Sequence, residues 1–210
     1  MQLIDVIKQR KTIKLFDKNV KISRDELSEI LTLAQLSPSK ANVQPWRFVV
    51  IDDEEKKQTL LGDVAFNIQP CESASALILV LADLRYDKLL GSILDQSIAQ
   101  GCLASQFRDK QHEFLLNFYN GLSQSQLRDQ VLIDTSLSAM QLMLVAKEKG
   151  YDTHAIGIFD REEVLEKLAV DSERYVPVML IAIGKAATSF IPSVRLPLEY
   201  TVSWNSGPNK

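Results

Sequence analysis

The stretch SPSKANVQPWRF, residues 37–48, joins a helical pattern to an apolar run, and its composition is unusual for a connecting loop. Its twelve residues include two prolines, one tryptophan, two carboxamides and two cations. Prolines restrict the backbone, and clustered polar side chains supply hydrogen-bonding groups. This composition indicates a shaped segment that holds something, rather than a plain connection between two elements.

The flanks of this loop have clear secondary-structure patterns. Ser23 and Glu26 have the spacing of a capping box at a helix start, and Pro38 ends that helix. The apolar stripe of the helix consists of Leu27, Ile30, Leu31 and Ala34. After the loop, WRFVVI (46–51) predicts a strand.

The rest of the chain alternates helical patterns with apolar runs. ALILVLA (76–82) and VPVMLIAIG (176–184) predict strands buried on both faces, and THAIGIF (153–159) predicts a shorter strand. Helical patterns cover residues 3–9, 53–61, 132–149 and 160–168, and a stretch without firm boundaries at about 91–130. This order predicts an α+β or α/β protein, with residues 1–210 forming a single domain.

Two segments suggest contact with another surface. The helical pattern at 132–149 is apolar almost all round at its centre, which predicts burial on every face, either inside the molecule or at a dimer interface. The tail, at about 190–210, contains IPSVRLPLEYTVSW, whose two prolines predict an extended segment that docks on something.

Composition excludes several classes of protein. The chain has 210 residues, 46% of them apolar, which suits one domain or an intimate homodimer. A net charge of −3 provides no basic field for nucleic acid. Cys71 and Cys102 have no disulfide-framework spacing, which favours a reducing compartment. The start lacks the pattern of a signal peptide and the longest apolar run is too short for a bilayer, so we expect a cytoplasmic protein without a membrane partner.

Several catalytic motifs are missing. His112 and His154 have no acidic or cysteine neighbours at metal-ligand spacing, so no metal site is predicted. The sequence has no G-x-S-x-G, no Walker loop and no G-x-G-x-x-G, and only eight glycines in total. A protein without these groups either binds a ligand or takes its chemistry from a cofactor.

One cationic cluster suits an anionic cofactor. Arg10, Lys11 and Lys14 lie close together in sequence, Thr12 adds a hydroxyl, and Arg195 in the tail is a second candidate. Arginine makes forked contacts with phosphate, and lysine supplies a point charge. Taken alone, the cluster is more simply interpreted as a solvated basic turn after the first helix.

Five segments of the chain resemble, in order and spacing, the bacterial FMN-dependent NAD(P)H nitroreductases. They are RKTIKLFD, LSPSKANVQPWRFVVI, DTSLSAMQLMLVAKEKGYDTHAIGIFD, RYVPVMLIAIGKA and RLP. The second contains a form of the family's A-P-S-x-x-N-x-Q-P-W-like motif, and the resemblance is weakest at about 84–130. It implies an α+β fold with a central, mostly antiparallel sheet flanked by helices. It also implies a homodimer whose tails are swapped onto the partner.

The resemblance also implies two FMN sites, each built from both subunits. The loop quoted above would close over the flavin of the other subunit. Pro38 would fix the entry of the loop, while Ser39 and Asn42 would offer polar groups to the ribityl chain and the ring edge. Pro45 and Trp46 would shape the turn, although simple core packing is the alternative for Trp46.

The phosphate end of FMN would be held by a clamp of cations. By resemblance, Arg10 and Arg195 form this clamp, and Lys11 and Thr12 assist them. Lys11 stands where arginine or histidine is usual. Ser193, also expected at the cofactor, stands where some relatives have lysine.

The flavin ring would have its own set of contacts. Lys14 corresponds to a cation near the pyrimidine end, where negative charge develops on reduction. Asn67 corresponds to an asparagine at the ring edge, or is simply a turn residue before a strand. The backbone facing the redox-active part of the ring would come from Ala155, Ile156, Gly157 and Ile158, the last in place of a common glycine. Asp134 lies near a position that is glutamine in some relatives and receives no role.

The implied reaction is a ping-pong transfer in which NAD(P)H gives a hydride to FMN, leaves, and is replaced by an electron acceptor. Nitroaromatics or quinones are expected acceptors, in a pocket lined by Phe107, Phe114, Phe118 and Tyr119. Packing in the core or at the dimer interface is the alternative for these rings. The sequence does not distinguish NADH from NADPH. Other flavin chemistry (dehalogenation or flavin breakdown), FMN binding without turnover and a cofactor-free dimeric module remain as alternatives.

Overall fold

Eight helices and four strands position the candidate site in the computed structural model, which describes residues 2–207. The helices are α1 (Leu3–Gln9), α2 (Arg24–Ala34), α3 (Glu54–Leu60), α4 (Ile68–Ser73), α5 (Leu90–Ala99), α6 (Arg108–Asn120), α7 (Gln124–Glu148) and α8 (Arg161–Lys167). The strands are β1 (Trp46–Ile51), β2 (Ala76–Asp83), β3 (Asp152–Ile156) and β4 (Tyr175–Gly184). This mixture confirms the predicted α+β class.

The four strands form one antiparallel sheet in the order β1–β2–β4–β3. In the middle, β2 pairs with β1 through Phe48 and Val80, and with β4 through Leu79 and Leu180. Every residue of β2 is buried, as its unbroken apolar run predicts. The outer strands of the sheet are therefore β1 and β3.

A separate helical layer covers each face of the sheet. On one face, Ile30 of α2 and Leu142 of α7 pack in one cluster with Ile78 of β2. On the other face, α3, α4 and α8 contribute to a cluster that also holds Phe16 and Leu79. Because both faces are covered, a large ligand has access at the strand ends and outer edges.

The long helix α7 starts about two turns earlier than the apolar pattern predicts. Ser123 and Gln126 exchange the two hydrogen bonds of a capping box there, but the first turns are polar and carry no apolar periodicity. Burial on every face is not found within this chain. Ile133, Leu137 and Met140 form an exposed row on α7, so the dimer-interface alternative stays open for this face.

The weakly patterned region at 91–130 consists of most of α5, all of α6 and the start of α7. Leu94 of α5 and Leu115 of α6 anchor it in a third core cluster with Tyr86 and Val131. The tail beyond residue 187 is exposed along almost its whole length, and residues 208–210 of the predicted extension lie outside the described residues. The single-domain organisation and the docking of the tail on a partner stay predictions.

Between residues 2 and 207, no helix has the length and apolar content needed to cross a membrane. The cytoplasmic location stays a prediction from the sequence.

Candidate functional site

The cationic segment after α1 runs along the outer edge of β3. Thr12 forms a parallel bridge with Thr153, and the Ile13 N–H donates to the Thr153 carbonyl at 3.2 Å. Ile13 is buried, whereas Thr12 and Lys14 on either side of it are exposed. The sheet edge thus fixes the backbone and leaves these two side chains on the solvent side.

The cations of this segment are not neutralised by the chain itself. Within residues 2–207, the side chains of Arg10 and Lys14 have neither an ion pair nor a hydrogen bond. Burial lowers the pKa of the neighbouring His154, and the charge of Lys14 lowers it further. Neutral His154 can then donate its Nδ1–H to the Ile13 carbonyl, 3.0 Å away, which steadies the segment.

Lys11 points elsewhere. Its Nζ lies 5.4 Å from the centroid of the Phe190 ring, and it lines a cavity of about 370 Å³ together with Ile13 and Phe190. Side chains alternate in direction along an extended segment. Lys11 therefore lies on the same side as buried Ile13, and Thr12 and Lys14 lie on the opposite side. The structure therefore does not group Lys11 with Thr12 and Lys14.

The turn after β3 lies next to this segment. Ala155, Gly157 and Ile158 are exposed, and the side chain of Ile156 is buried. A Cβ placed on Gly157 would meet no atom within 4 Å, so nothing inside this chain requires glycine there. Ala155, Gly157 and Ile158 are thus accessible at the open end of β3, whereas Ile156 is not.

Arg161, which sequence reasoning missed, holds this turn in place. Its guanidinium donates to the Gly157 carbonyl at 3.0 Å and to the Pro177 carbonyl at 3.3 Å, and it lies over the Phe159 ring at 4.8 Å. No motif could have revealed this role, because the acceptors are main-chain carbonyls on two different elements.

The loop at 37–45 has an unusual backbone. Ala41, Asn42 and Gln44 have φ values of 52°, 57° and 48°, in the left-handed region that non-glycine residues rarely adopt. The Ser39 hydroxyl accepts the Gln44 N–H at 3.1 Å, so it closes the turn. Pro38 and Asn42 are exposed, whereas Trp46 is buried, as the core-packing alternative predicts.

A buried ionic cluster fixes the end of this loop. Asp83, at the end of β2, is fully buried and accepts hydrogen bonds from Arg47 at 2.9 Å and from Arg174 at 2.9 and 2.8 Å. The Arg47 guanidinium also donates to the Gln44 carbonyl at 2.8 Å. No sequence motif predicts this cluster, since its partners lie 36 and 91 residues from Asp83.

The side chain of Asn67 points toward the backbone of its own turn. The residue is buried, and its side-chain amide donates to the Val64 carbonyl at 3.2 Å. The turn is tight, with Ala65 at a φ of 50°. This geometry matches the turn-residue alternative for Asn67.

Ser193 and Arg195 are exposed in the tail, and their contacts are local. Arg195 donates to the Ser193 hydroxyl at 3.2 Å and to the Val194 carbonyl at 2.9 Å. No side-chain contact links Arg195 to Arg10 in the part of the chain that the structure describes. The contacts of Arg195 are thus confined to the tail, and the phosphate clamp stays a prediction.

The predicted acceptor-pocket aromatics divide into two pairs. Phe107 and Phe114 are exposed beside a cavity of about 430 Å³ that is also lined by Leu103, Lys110 and Gln111. In contrast, Tyr119 packs edge-on against Tyr86 at 5.1 Å and donates to the Leu84 carbonyl, and Phe118 lies under Lys40 at 4.1 Å. Phe118 and Tyr119 are half-buried, and Tyr119 lines a different cavity of about 470 Å³.

The two halves of the predicted site lie at opposite edges of the sheet. The cationic segment borders β3, and the loop at 37–45 leads into β1. Three strand spacings separate β1 from β3, which amounts to about 14 Å. One chain therefore does not bring Lys14 and Ser39 to the same ligand ring.

The comparisons with known proteins identify the class. A model of the nitroreductase family matches residues 7–185, and the chain belongs to this family. YdgI of Bacillus subtilis (strain 168), named as an NAD(P)H nitroreductase, is 40% identical over 201 residues, which cover 96% of each protein. A CLA biosynthesis enone reductase from Lactiplantibacillus plantarum is 36% identical over 194 residues, 92% of this chain and 89% of that protein.

A solved structure confirms the predicted fold. A nitroreductase-type protein from Exiguobacterium sibiricum 255-15, crystallised in complex with FMN, superposes with a TM-score of 0.95 at 41% identity, and 98% of each chain is covered. The nitroreductase-like α+β fold with an antiparallel sheet flanked by helices is therefore correct for this chain.

Proposed function

We propose that the chain is an FMN-dependent oxidoreductase that takes a hydride from NAD(P)H and passes electrons to a small organic acceptor. The observation that carries this proposal is the pair of unneutralised cations, Arg10 and Lys14, on a rigid sheet edge beside an accessible backbone turn. Family membership and the FMN held by a relative of 41% identity support the same cofactor here.

The residues at this edge fit the chemistry of FMN. A phosphate needs cations and hydroxyl donors, and Arg10 with Thr12 supplies both. Lys14, two residues further along the same edge, adds a positive charge where a reduced flavin ring is negative. The exposed turn at 155–158 offers main-chain groups without bulky side chains at Ala155 and Gly157. Bound FMN would supply the redox chemistry, and the protein would supply binding, orientation and charge.

A second copy of the chain would complete the site. The loop at 37–45 is too far from Lys14 within one subunit, but a partner can place its own loop there. The apolar row of Ile133, Leu137 and Met140 offers the surface for such a homodimer, and the exposed tail offers a way to wrap it. In this arrangement, Pro38, Ser39 and Asn42 of one subunit face the flavin of the other.

The mechanism we propose is ping-pong. No side-chain nucleophile is needed, because bound FMN would supply the redox chemistry. The hydride donor and the acceptor would use the same space in turn, and the charge of Lys14 would favour the reduced state. Planar acceptors such as nitroaromatics and quinones suit the exposed rings of Phe107 and Phe114. The enone reductase among the relatives adds activated carbon–carbon double bonds to the acceptors worth testing.

The decisive experiment is anaerobic flavin spectroscopy of the purified protein. We expect a yellow protein that is bleached by NADH or NADPH and recovers its colour when a nitroaromatic, a quinone or an enone is added. A yellow protein that is not bleached would be an FMN carrier. A colourless protein that does not bind added FMN would contradict the proposal altogether.

A further inference from the structure

The turn at the centre of the loop has a strained backbone that needs support from outside the turn. Ala41 and Asn42 are consecutive left-handed residues, and Gln44 is a third. The hydrogen bonds inside the turn link Asn42 to Ser39, Val43 to Lys40, and Gln44 to both Ser39 and Asn42. A strained turn persists only where its surroundings over-determine it, so anchors outside the turn are required.

The two ends of the turn have different anchors. The C-terminal end is held by Arg47 on the Gln44 carbonyl and by the Asp83 N–H, which donates to the Pro45 carbonyl at 2.8 Å. The N-terminal end is held by Asp134, whose Oδ2 accepts the Lys40 N–H at 3.1 Å across 94 residues of sequence. In the described part of the chain, this is the hydrogen bond that ties that end to the body of the protein.

Asp134 occupies a costly position for a carboxylate. It lies on α7 with 5% of its surface exposed, and no cation forms an ion pair with it in residues 2–207. Among the described residues, no side chain donates a hydrogen bond to this carboxylate. Burial raises the pKa of Asp134, and the Lys40 N–H opposes this shift. A buried carboxylate with a single long-range hydrogen bond therefore needs a structural explanation.

We propose that Asp134 is a positioning residue that holds the turn at Lys40–Asn42 in its left-handed form for contact with the flavin of the partner subunit. The positioning itself follows from the geometry of this chain, whereas its value for the flavin rests on the proposed function. The carboxylate does not touch the reacting atoms, and it acts through the main chain of Lys40.

The test measures the loop and the cofactor separately, in the full-length protein. Hydrogen exchange of residues 38–45, followed by mass spectrometry, reports the turn, and titration with FMN reports binding. In Asp134→Ala we expect at least tenfold faster exchange in this peptide and at least fivefold weaker FMN binding. Asp134→Asn keeps an acceptor oxygen and should retain most of the protection.

A matched control lies one turn further along the same helix. The Ser138 hydroxyl is equally buried and donates to the Ala34 carbonyl, outside the turn. Ser138→Ala should lower stability without raising exchange at 38–45. Equal effects of Asp134→Ala and Ser138→Ala on this peptide would overturn the proposal.

The donor side offers a variant at an exposed residue. Ser39 has φ −139° and ψ 155°, which permits a following proline, and Lys40 starts a 3-10 turn. Lys40→Pro removes the N–H, whereas Lys40→Met keeps it and removes the ammonium, which lies over Phe118 and lowers the pKa of Asp134. Lys40→Pro alone should raise exchange, and an unchanged turn would overturn the proposal even if Asp134→Ala fails to fold. Faster exchange with unchanged FMN binding would uphold the positioning and reject the role of the loop in the proposed function.

Discussion

The residues predicted at the site lie in different surroundings in the structure. Thr12 and Lys14 are exposed along the edge of β3, while Lys11 turns toward Phe190 and Asn67 closes its own turn. The roles of Arg10, Thr12 and Lys14 at FMN stay predictions. The alternating direction of side chains along the edge of β3 separates Lys11 from Thr12 and Lys14. This separation could not be predicted from the sequence, because the parallel bridge between Thr12 and Thr153 joins residues that are far apart in the chain.

A variant of Lys14 tests the proposed redox mechanism rather than the binding of FMN. Lys14→Met keeps the aliphatic bulk and removes the charge, so FMN should still bind through the phosphate contacts. The two-electron potential of the flavin should fall by about 30 mV, which corresponds to about 1.4 kcal/mol of lost preference for the reduced state. A redox titration measures this shift. Lys8→Met, on exposed α1, should leave the potential unchanged, and overlaying titrations for Lys14→Met and the wild type would assign Lys14 to solvent.

Arg10 and Lys11 form a matched pair for the phosphate assignment. Arg10→Ala should weaken FMN binding roughly tenfold to a hundredfold, from about 1.5–3 kcal/mol per lost charge-assisted contact. Lys11→Ala should have a much smaller effect, because its ammonium lies over the Phe190 ring. Fluorescence titration with FMN measures both. A larger loss for Lys11→Ala than for Arg10→Ala would reverse the assignment.

Asp134 should make stability depend on pH. Its pKa in the folded protein is raised by burial, so folding costs free energy above that pKa and this cost disappears below the unfolded value, near 4. The titratable groups facing it are Lys40 from the loop and Tyr86 from the turn after β2. Asp134→Asn should therefore unfold at higher urea than the wild type at pH 7, and this advantage should shrink toward pH 4. Parallel pH profiles for the two proteins would contradict this linkage.

At the scale of elements, apolar runs and capping signals predicted the framework well. β1 lies where WRFVVI predicts it, β2 and β4 deviate by one residue at one end, and the capping box at Ser23 is confirmed. Periodicity failed at the start of α7, where only the capping signal at Ser123 marks the boundary. The ties between elements were not predictable, because Asp83, Asp134 and Arg161 act over long separations or on main-chain groups.

The Asp83 cluster is the strongest of these ties. Asp83→Asn would leave the guanidiniums of Arg47 and Arg174 without their shared carboxylate, at a cost of about 3 kcal/mol in the free energy of unfolding. This is the low end for a buried pair, because these two side chains are 25% and 30% exposed. Urea unfolding measures the loss. Asp87→Asn, which breaks a local pair with exposed Arg85, should cost less than about 1 kcal/mol, and equal costs would refute the special status of Asp83.

At the scale of the whole molecule, the apolar row on α7 should hold two subunits together. Leu137→Glu places a charge at the centre of this row, between Ile133 and Met140. Sedimentation at micromolar concentration should show a dimer for the wild type and a monomer with little bound FMN for the variant. Gln58→Glu on α3, on the other side of the sheet, should remain dimeric. A wild-type monomer that carries FMN would contradict the shared site.

The opposite placement of the two half-sites has a genetic consequence. If each flavin takes its cations from one chain and its covering loop from the other, a mutation at one edge of the sheet and a mutation at the other edge can complement each other within a dimer. A subunit with Arg10→Ala and a subunit with Lys40→Pro would each form defective dimers with themselves. Paired with each other, they would leave one site with both defects and restore the other completely. A cell that expresses these two defective alleles would then regain part of its activity, without recombination between them.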